Sequence, residues 1–171
     1  MLLFLAAAAT GMEFAIANHF NKGMSLSFIV TVSFVAGGII GAIVFYIFAA
    51  VVSGMGEWFG GQTTIVSTAR VVAYGLFPVV IAFVFTVVKI ILFDIDLFRE
   101  DFDINKYAPE LSAFYVISSL VQLALASVSI LFMVIGVSQV QRMSIGMAML
   151  NLILPALILA VVAGIIAIPF L

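Results

Sequence analysis

Residues 70–89 read RVVAYGLFPVVIAFVFTVVK, an arginine and a lysine bracketing 18 uncharged residues. Wound as an α-helix at ~1.5 Å per residue, the uncharged stretch is ~27 Å long, close to the ~30 Å of a bilayer's hydrocarbon core. Each cation can then extend its methylene stem to its own interface. The stretch predicts a membrane-spanning helix over about 67–90.

The rest of the chain agrees. Hydrophobic residues make up 66% of its 171 positions and charged residues only 8%, and the mean hydropathy is +1.41. A water-soluble surface needs far more charge than this. Apolar runs predict five spans at about 1–18, 27–52, 67–90, 111–136 and 145–170, an all-α polytopic membrane bundle forming a single domain over 1–171. A membrane barrel would alternate apolar and polar residues in segments of roughly ten, a pattern no segment shows. The opening MLLFLAAAATG resembles a signal-peptide core, but no cation precedes it and it continues apolar to Ala17 apart from Glu13, so it reads as the first span.

Five spans put the two termini on opposite sides. Lys22, Lys89, Arg99 and Lys106 fall on one side and Arg70 and Arg142 on the other, a small excess that would make the first side cytoplasmic. Six acids share that side, so the count leaves orientation open. A net charge of −2 offers no basic footprint for nucleic acid. The absence of cysteine removes thiolate chemistry and says nothing of compartment.

Within the third span Thr63, Ser67, Arg70, Tyr74 and Pro78 recur every three or four residues and form one polar stripe. In lipid such a stripe should face other helices or line a wet crevice. The first reading makes these ordinary interface residues, the second a small transporter or channel. Gly37 and Gly41 form a GxxxG pair, and Ala156, Ala160 and Gly164 repeat small residues every fourth position, both suited to close helix packing. A shift of 77 residues lays Gln62 on Gln139, Ser67 on Ser144 and Pro78 on Pro155. This is the mark either of a parallel internal repeat or of apolar sequence aligning with itself.

Catalytic constellations are sparse. Asp94, Asp96, Glu100, Asp101 and Asp103 in DIDLFREDFD could gather oxygens around a hard cation. Counted as an EF-hand the run fails, with Arg99 where glycine belongs and Asn105 where a bidentate Glu belongs. A solvated connection is the competing account. His19, the one histidine, lies in a connection, and neither a GxSxG elbow nor a phosphate loop is present. No cofactor or metal is expected. Glu13 is the one acid inside a span; the topology brings it toward Lys89, predicting an ion pair, the alternative being a Glu13 that reaches the interface alone. Gln122 and Asn151, with Ser118, Ser119 and Ser129, read as hydrogen-bonding glue between helices, the alternative being that Gln122 and Asn151 join Arg70 and Tyr74 in a solute path.

The run WFGGQTTIVSTARVVAYGLFPVVIAFVF at 58–85 resembles the hallmark of the Yip family, membrane proteins that interact with Ypt and Rab GTPases: a Gly-Gly pair followed by a Tyr-x-x-x-Pro step, here Gly60, Gly61, Tyr74 and Pro78. The run GVSQVQRMSIGMAMLNLILPALI at 136–158 is similar to that family's last connection and span, matching at Gly136, Val137, Val140, Ser144 and Pro155. The resemblance implies a five-span bundle with a cytosolic N-terminus, no enzymatic activity, and a scaffold or partner role among membrane proteins, including self-association. In eukaryotes that role lies in Golgi and vesicle traffic; a prokaryotic member would sit in the cell membrane. The family's cytosolic region before the first span has no counterpart here, as in an N-terminally shortened or prokaryotic member, and no small-GTPase contact residue carries over.

Overall fold

Pro78 decides how the chain between 65 and 93 is built. A proline has no N–H to give and its ring collides with the carbonyl four residues back, so the single helix expected over 67–90 divides. In the computed structural model, which describes residues 1–20 and 23–167, the two pieces are α3 (Ile65–Gly75) and α4 (Phe77–Phe93). Leu76 between them has φ −82° and ψ 0°, and its carbonyl accepts from both Val79 and Val80 N–H at 3.0 and 3.3 Å. Pro78 thereby lies in the first turn of α4, where a missing N–H costs nothing.

The other helices are α1 (Leu2–Ala17), α2 (Leu26–Trp58), α5 (Pro109–Gln141) and α6 (Ile145–Ala167), with short 3₁₀ turns at Asp94–Phe98 and Ile104–Lys106. The described residues contain no strand. Leu26–Trp58, Phe77–Phe98 and Pro109–Gln141 are each long and apolar enough to cross a membrane, and Leu2–Ala17 and Ile145–Val161 are shorter apolar helices. Many large apolar side chains, among them Ile40, Ile117, Leu120 and Leu131, are exposed; on helices this oily they form the surface offered to lipid. Lys22, which entered the charge count, and the end of the fifth expected span lie outside the described residues.

The chain forms two compact units, Met1–Ile43 with Leu76–Ile130, and Val44–Gly75 with the described residues from Leu131 onward. The break at Leu76 falls where the chain passes from one to the other.

In the first unit α1 is buried on every side at Ala6, Ala7, Ala8 and Ala9, which four methyl-sized side chains in a row permit. Gly37 and Gly41 prove to be the receiving half of its packing with α2. A Cβ on Gly11 would lie 2.6 Å from Gly37 Cα, and one on Gly41 2.8 Å from Ala7 Cβ, so the two backbones approach as GxxxG patterns allow. Met12, Ala15, Ile29, Ile90, Phe93, Leu97 and Phe98 form the core. Phe93 takes Phe102, Tyr107 and Tyr115 edge-on at 5.6, 5.0 and 5.7 Å. The acidic stretch is thus more than a solvated connection, because Leu97 and Phe98 turn inward while Asp94, Glu100 and Asp101 stay exposed.

In the second unit Val52, Val134, Val137, Ala148 and Leu152 make the core. Gly75 and Gly136 let α3 and α5 meet, since a Cβ on them would lie 2.4 Å from Met133 Cγ and 2.5 Å from Val71 Cγ1. On α6, Ala156 and Ala160 are exposed, and the packing of Gly164 lies outside what is described.

Candidate functional site

The Gly-Gly pair and the last connection are built alike. At the end of α2, Gly61 N–H donates to the Gly56 carbonyl (2.8 Å) and Gly60 N–H to that of Glu57 (3.0 Å), with Gly60 at φ +78°. This is a Schellman closure, whose left-handed residue favours glycine. Gly61 serves differently: a Cβ there would lie 2.7 Å from Met143 Cε and 3.1 Å from the Gln141 carbonyl. At the end of α5, Met143 N–H donates to the Ser138 carbonyl and Arg142 N–H to that of Gln139, with Arg142 as the left-handed residue at φ +53°. His19 closes α1 in the same conformation, at φ +51°. Thr64 Oγ1 accepts from Ser67 N–H at 3.2 Å and Ser144 Oγ from Met147 N–H at 3.3 Å, so each capped end leads into an N-cap. The prolines expected to match do not: Pro78 opens α4, whereas Pro155 is buried inside an unbroken α6.

These two connections enclose a buried polar knot. Asn151 Nδ2 donates to the Val52 carbonyl (3.0 Å) and to Gln141 Oε1 (2.7 Å), and Gln141 Nε2 donates to the same carbonyl (3.2 Å). Both side chains are about 1% exposed or less. Gly56 makes room, since a Cβ on it would lie 2.3 Å from Gln141 Oε1. Among the described residues Thr68 Oγ1 and Asn151 Oδ1 are buried without a hydrogen-bond partner. Asn151 was foreseen as glue; Gln141, adjacent to a connection rich in polar residues, carried no pattern to single it out.

Arg70 and Tyr74 of the polar stripe lie outward on α3, with Ser67 half-buried and Pro78 buried in α4. Thr68, Val72 and Gly75 are the buried face, while Arg70 is exposed and Tyr74 is 68% exposed. Of the side chains expected to line a transporter's crevice, Arg70 and Tyr74 therefore sit on the surface of an eleven-residue helix, whereas Pro78 and Asn151 are buried and Gln122 lies elsewhere.

The first unit holds the second cluster. Glu13 on α1, Thr86 and Lys89 on α4, and Tyr115, Ser119 and Gln122 on α5 meet at one end of a cleft of about 420 Å³. Glu13 and Lys89 are brought together, though without direct contact: among the described residues the one ion pair within 4 Å is Arg99–Asp96. Gln122 stands between them. Its Nε2 donates to Glu13 Oε1 (3.0 Å) and Thr86 Oγ1 (2.8 Å), and its Oε1 accepts from Lys89 Nζ. Thr86 Oγ1 donates to Glu13 Oε1, Lys89 Nζ donates to Ser119 Oγ at 2.9 Å, and the ammonium lies 4.8 Å from the Tyr115 ring centroid. An amide can bridge this way because it donates at one end and accepts at the other.

The acids of the loop are engaged separately. Asp96 accepts from Arg99 Nη1 (2.9 Å) and from the Tyr107 hydroxyl (3.0 Å), and Asp103 from the N–H and side-chain amide of Asn105. The Asn105 backbone N–H is the chief reason the Asp103 carboxyl is held below its ordinary range. Burial, then the bond to Asp96, raises the Tyr107 hydroxyl. Asp94, Glu100 and Asp101 are exposed. Among the described residues no three acidic or histidine side chains gather as a metal site.

Long apolar helices, glycine crossings and polar bonds internal to helix pairs define an integral membrane helix bundle. Within that class, the Yip1 domain family profile matches residues 1–167, and the chain belongs to that family. No curated protein and no solved structure matches it.

Proposed function

We propose that this chain is a non-enzymatic scaffold or interaction partner of other membrane proteins. The observation that carries the proposal is the outward face of α3, where the motif residues Arg70 and Tyr74 are exposed. A helix of about 16 Å is too short to span, and a cation and a phenol on its free face suit a partner's polar surface or the headgroup region better than hydrocarbon. The buried amides support the reading, for they are spent on helix-to-helix bonds. The host membrane is the cell membrane in a prokaryote and the Golgi or endoplasmic reticulum in a eukaryote. Small GTPases are among the partners the family resemblance names, and no residue here is assigned to them.

Purification in a mild detergent tests this. A stoichiometric membrane partner or a homo-oligomer is expected, lost on Arg70→Ala/Tyr74→Ala. A strictly monomeric species without partners refutes it.

A further inference from the structure

The cleft of the first unit has walls and a polar end of different character. Its walls are Ala9, Val79, Ala82, Phe83, Leu123 and Ala126, from α1, α4 and α5, and its volume of about 420 Å³ falls among those of small-molecule sites. At the polar end the two charges are unequally available. Lys89 is 5% exposed, and its donors are taken up by Ser119, Gln122 and the Tyr115 ring. Glu13 is exposed, and both hydrogen bonds it receives fall on Oε1. Oε2 receives none among the described residues. Thr10 lies one turn earlier on the same face of α1; its hydroxyl donates to the Ala6 carbonyl at 2.9 Å and keeps its capacity to accept.

We propose that this cleft binds the primary ammonium of an amphipathic amine, with Glu13 as counter-ion, Thr10 as second acceptor and the apolar walls holding the chain. The sign follows from the accessible charge, a carboxylate. A divalent cation is disfavoured because a single carboxylate with one hydroxyl falls short of the six or more oxygens such ions gather. A quaternary ammonium would need an aromatic cage, whereas the Tyr115 face already holds Lys89 and Phe83 is the other ring on the walls. A primary ammonium offers three donors to the acceptors present, and its chain lies where the walls carry no charge. In a membrane this chemistry has two sources, the headgroup of an aminophospholipid and a free long-chain amine.

The test is native mass spectrometry of the full chain, delipidated in detergent and titrated with phosphatidylethanolamine, phosphatidylcholine of the same acyl chains, and octylamine. The expected result is a preference for phosphatidylethanolamine over phosphatidylcholine of roughly tenfold or more, the factor that one charge-assisted hydrogen bond carries. Glu13→Gln, which keeps the shape and an acceptor oxygen, abolishes the preference. Ala126→Phe, which fills the cleft one helical turn from Gln122 and replaces none of the hydrogen-bonding side chains, does so as well, and carries the test alone if Glu13→Gln does not fold. Displacement of the lipid by octylamine assigns the site to amphipathic amines at large; a lipid preference that octylamine leaves untouched assigns it to the headgroup. Equal binding of the two phospholipids together with no octylamine binding that Glu13→Gln or Ala126→Phe removes, or a preference that survives both substitutions, overturns the proposal.

Discussion

The Asn151–Gln141 pair can be dissected as a double-mutant cycle. Asn151→Leu removes two hydrogen bonds, to the Val52 carbonyl and to Gln141 Oε1, and leaves that Oε1 buried without a donor. Bonds between membrane helices average ~0.6 kcal/mol, and an orphaned buried polar atom costs about 1–3 kcal/mol. Against this the substitution also removes Asn151 Oδ1, itself unpartnered, so the net loss is about 1–2 kcal/mol. Gln141→Met likewise removes two bonds and costs about 1–2 kcal/mol. The double variant removes three bonds rather than four and orphans no side-chain atom, while the Val52 carbonyl keeps its place in α2. It is therefore less damaging than the sum of the singles by about 1 kcal/mol or more. Unfolding in mixed micelles, followed by circular dichroism against detergent composition, measures all three. Additivity within ~0.3 kcal/mol refutes the reasoning, because it means that the two side chains do not share a bond.

The helix ends give a pair of opposite sign: Gly60→Ala, at φ +78°, costs about 1–2 kcal/mol, whereas Arg142→Gly, at φ +53°, is neutral or stabilising by up to ~1 kcal/mol, both read as thermal stability in detergent. Gly37→Leu places a Cβ 2.7 Å from Gly11 Cα, backbone against side chain with nothing flexible to yield. It abolishes the monodisperse elution peak that a tolerated substitution would keep. Because the Asp103 carboxyl is held below its unfolded value, its contribution to stability is present above the unfolded pKa near ~3.9 and is lost as pH falls through the folded one. Asp103→Asn, uncharged throughout, flattens the acid limb of the melting profile, and superimposable profiles would rule this out.

Fold class was legible in Arg70–Lys89 because hydrophobic length is the dominant signal in lipid, and the Gly-Gly pair marked a turn because only glycine enters the left-handed region cheaply. The division at Leu76 was written in Gly75 and Pro78, but an 18-residue uncharged window averages over a break that local backbone chemistry imposes. The direct ion pair expected of Glu13 and Lys89 is absent among the described residues, although their nearness followed from topology. Their bridging by Gln122 did not, since which of several buried amides stands between two charges depends on helix rotation, which 171 residues of nearly uniform oiliness leave unmarked. Gln141 was missed for the same reason, and the inward turn of Leu97 and Phe98 was masked by the acids around them. Tyr74 misled in the other direction: polar periodicity fixes a face of α3 and does not say whether that face turns in or out.

The sharing of one amide by Glu13 and Lys89 bears on how the chain is made. α1 leaves the ribosome some seventy residues before α4, and each brings a charge of opposite sign about a turn from the end of its helix, where the cost is below the ~2.5–3.5 kcal/mol of a charge at a helix centre. Gln122, which both side chains use, comes later than either. The polar contacts that join α1 to α4 are therefore complete only once α5 has followed them, which ties the last step of their packing to the arrival of the third helix.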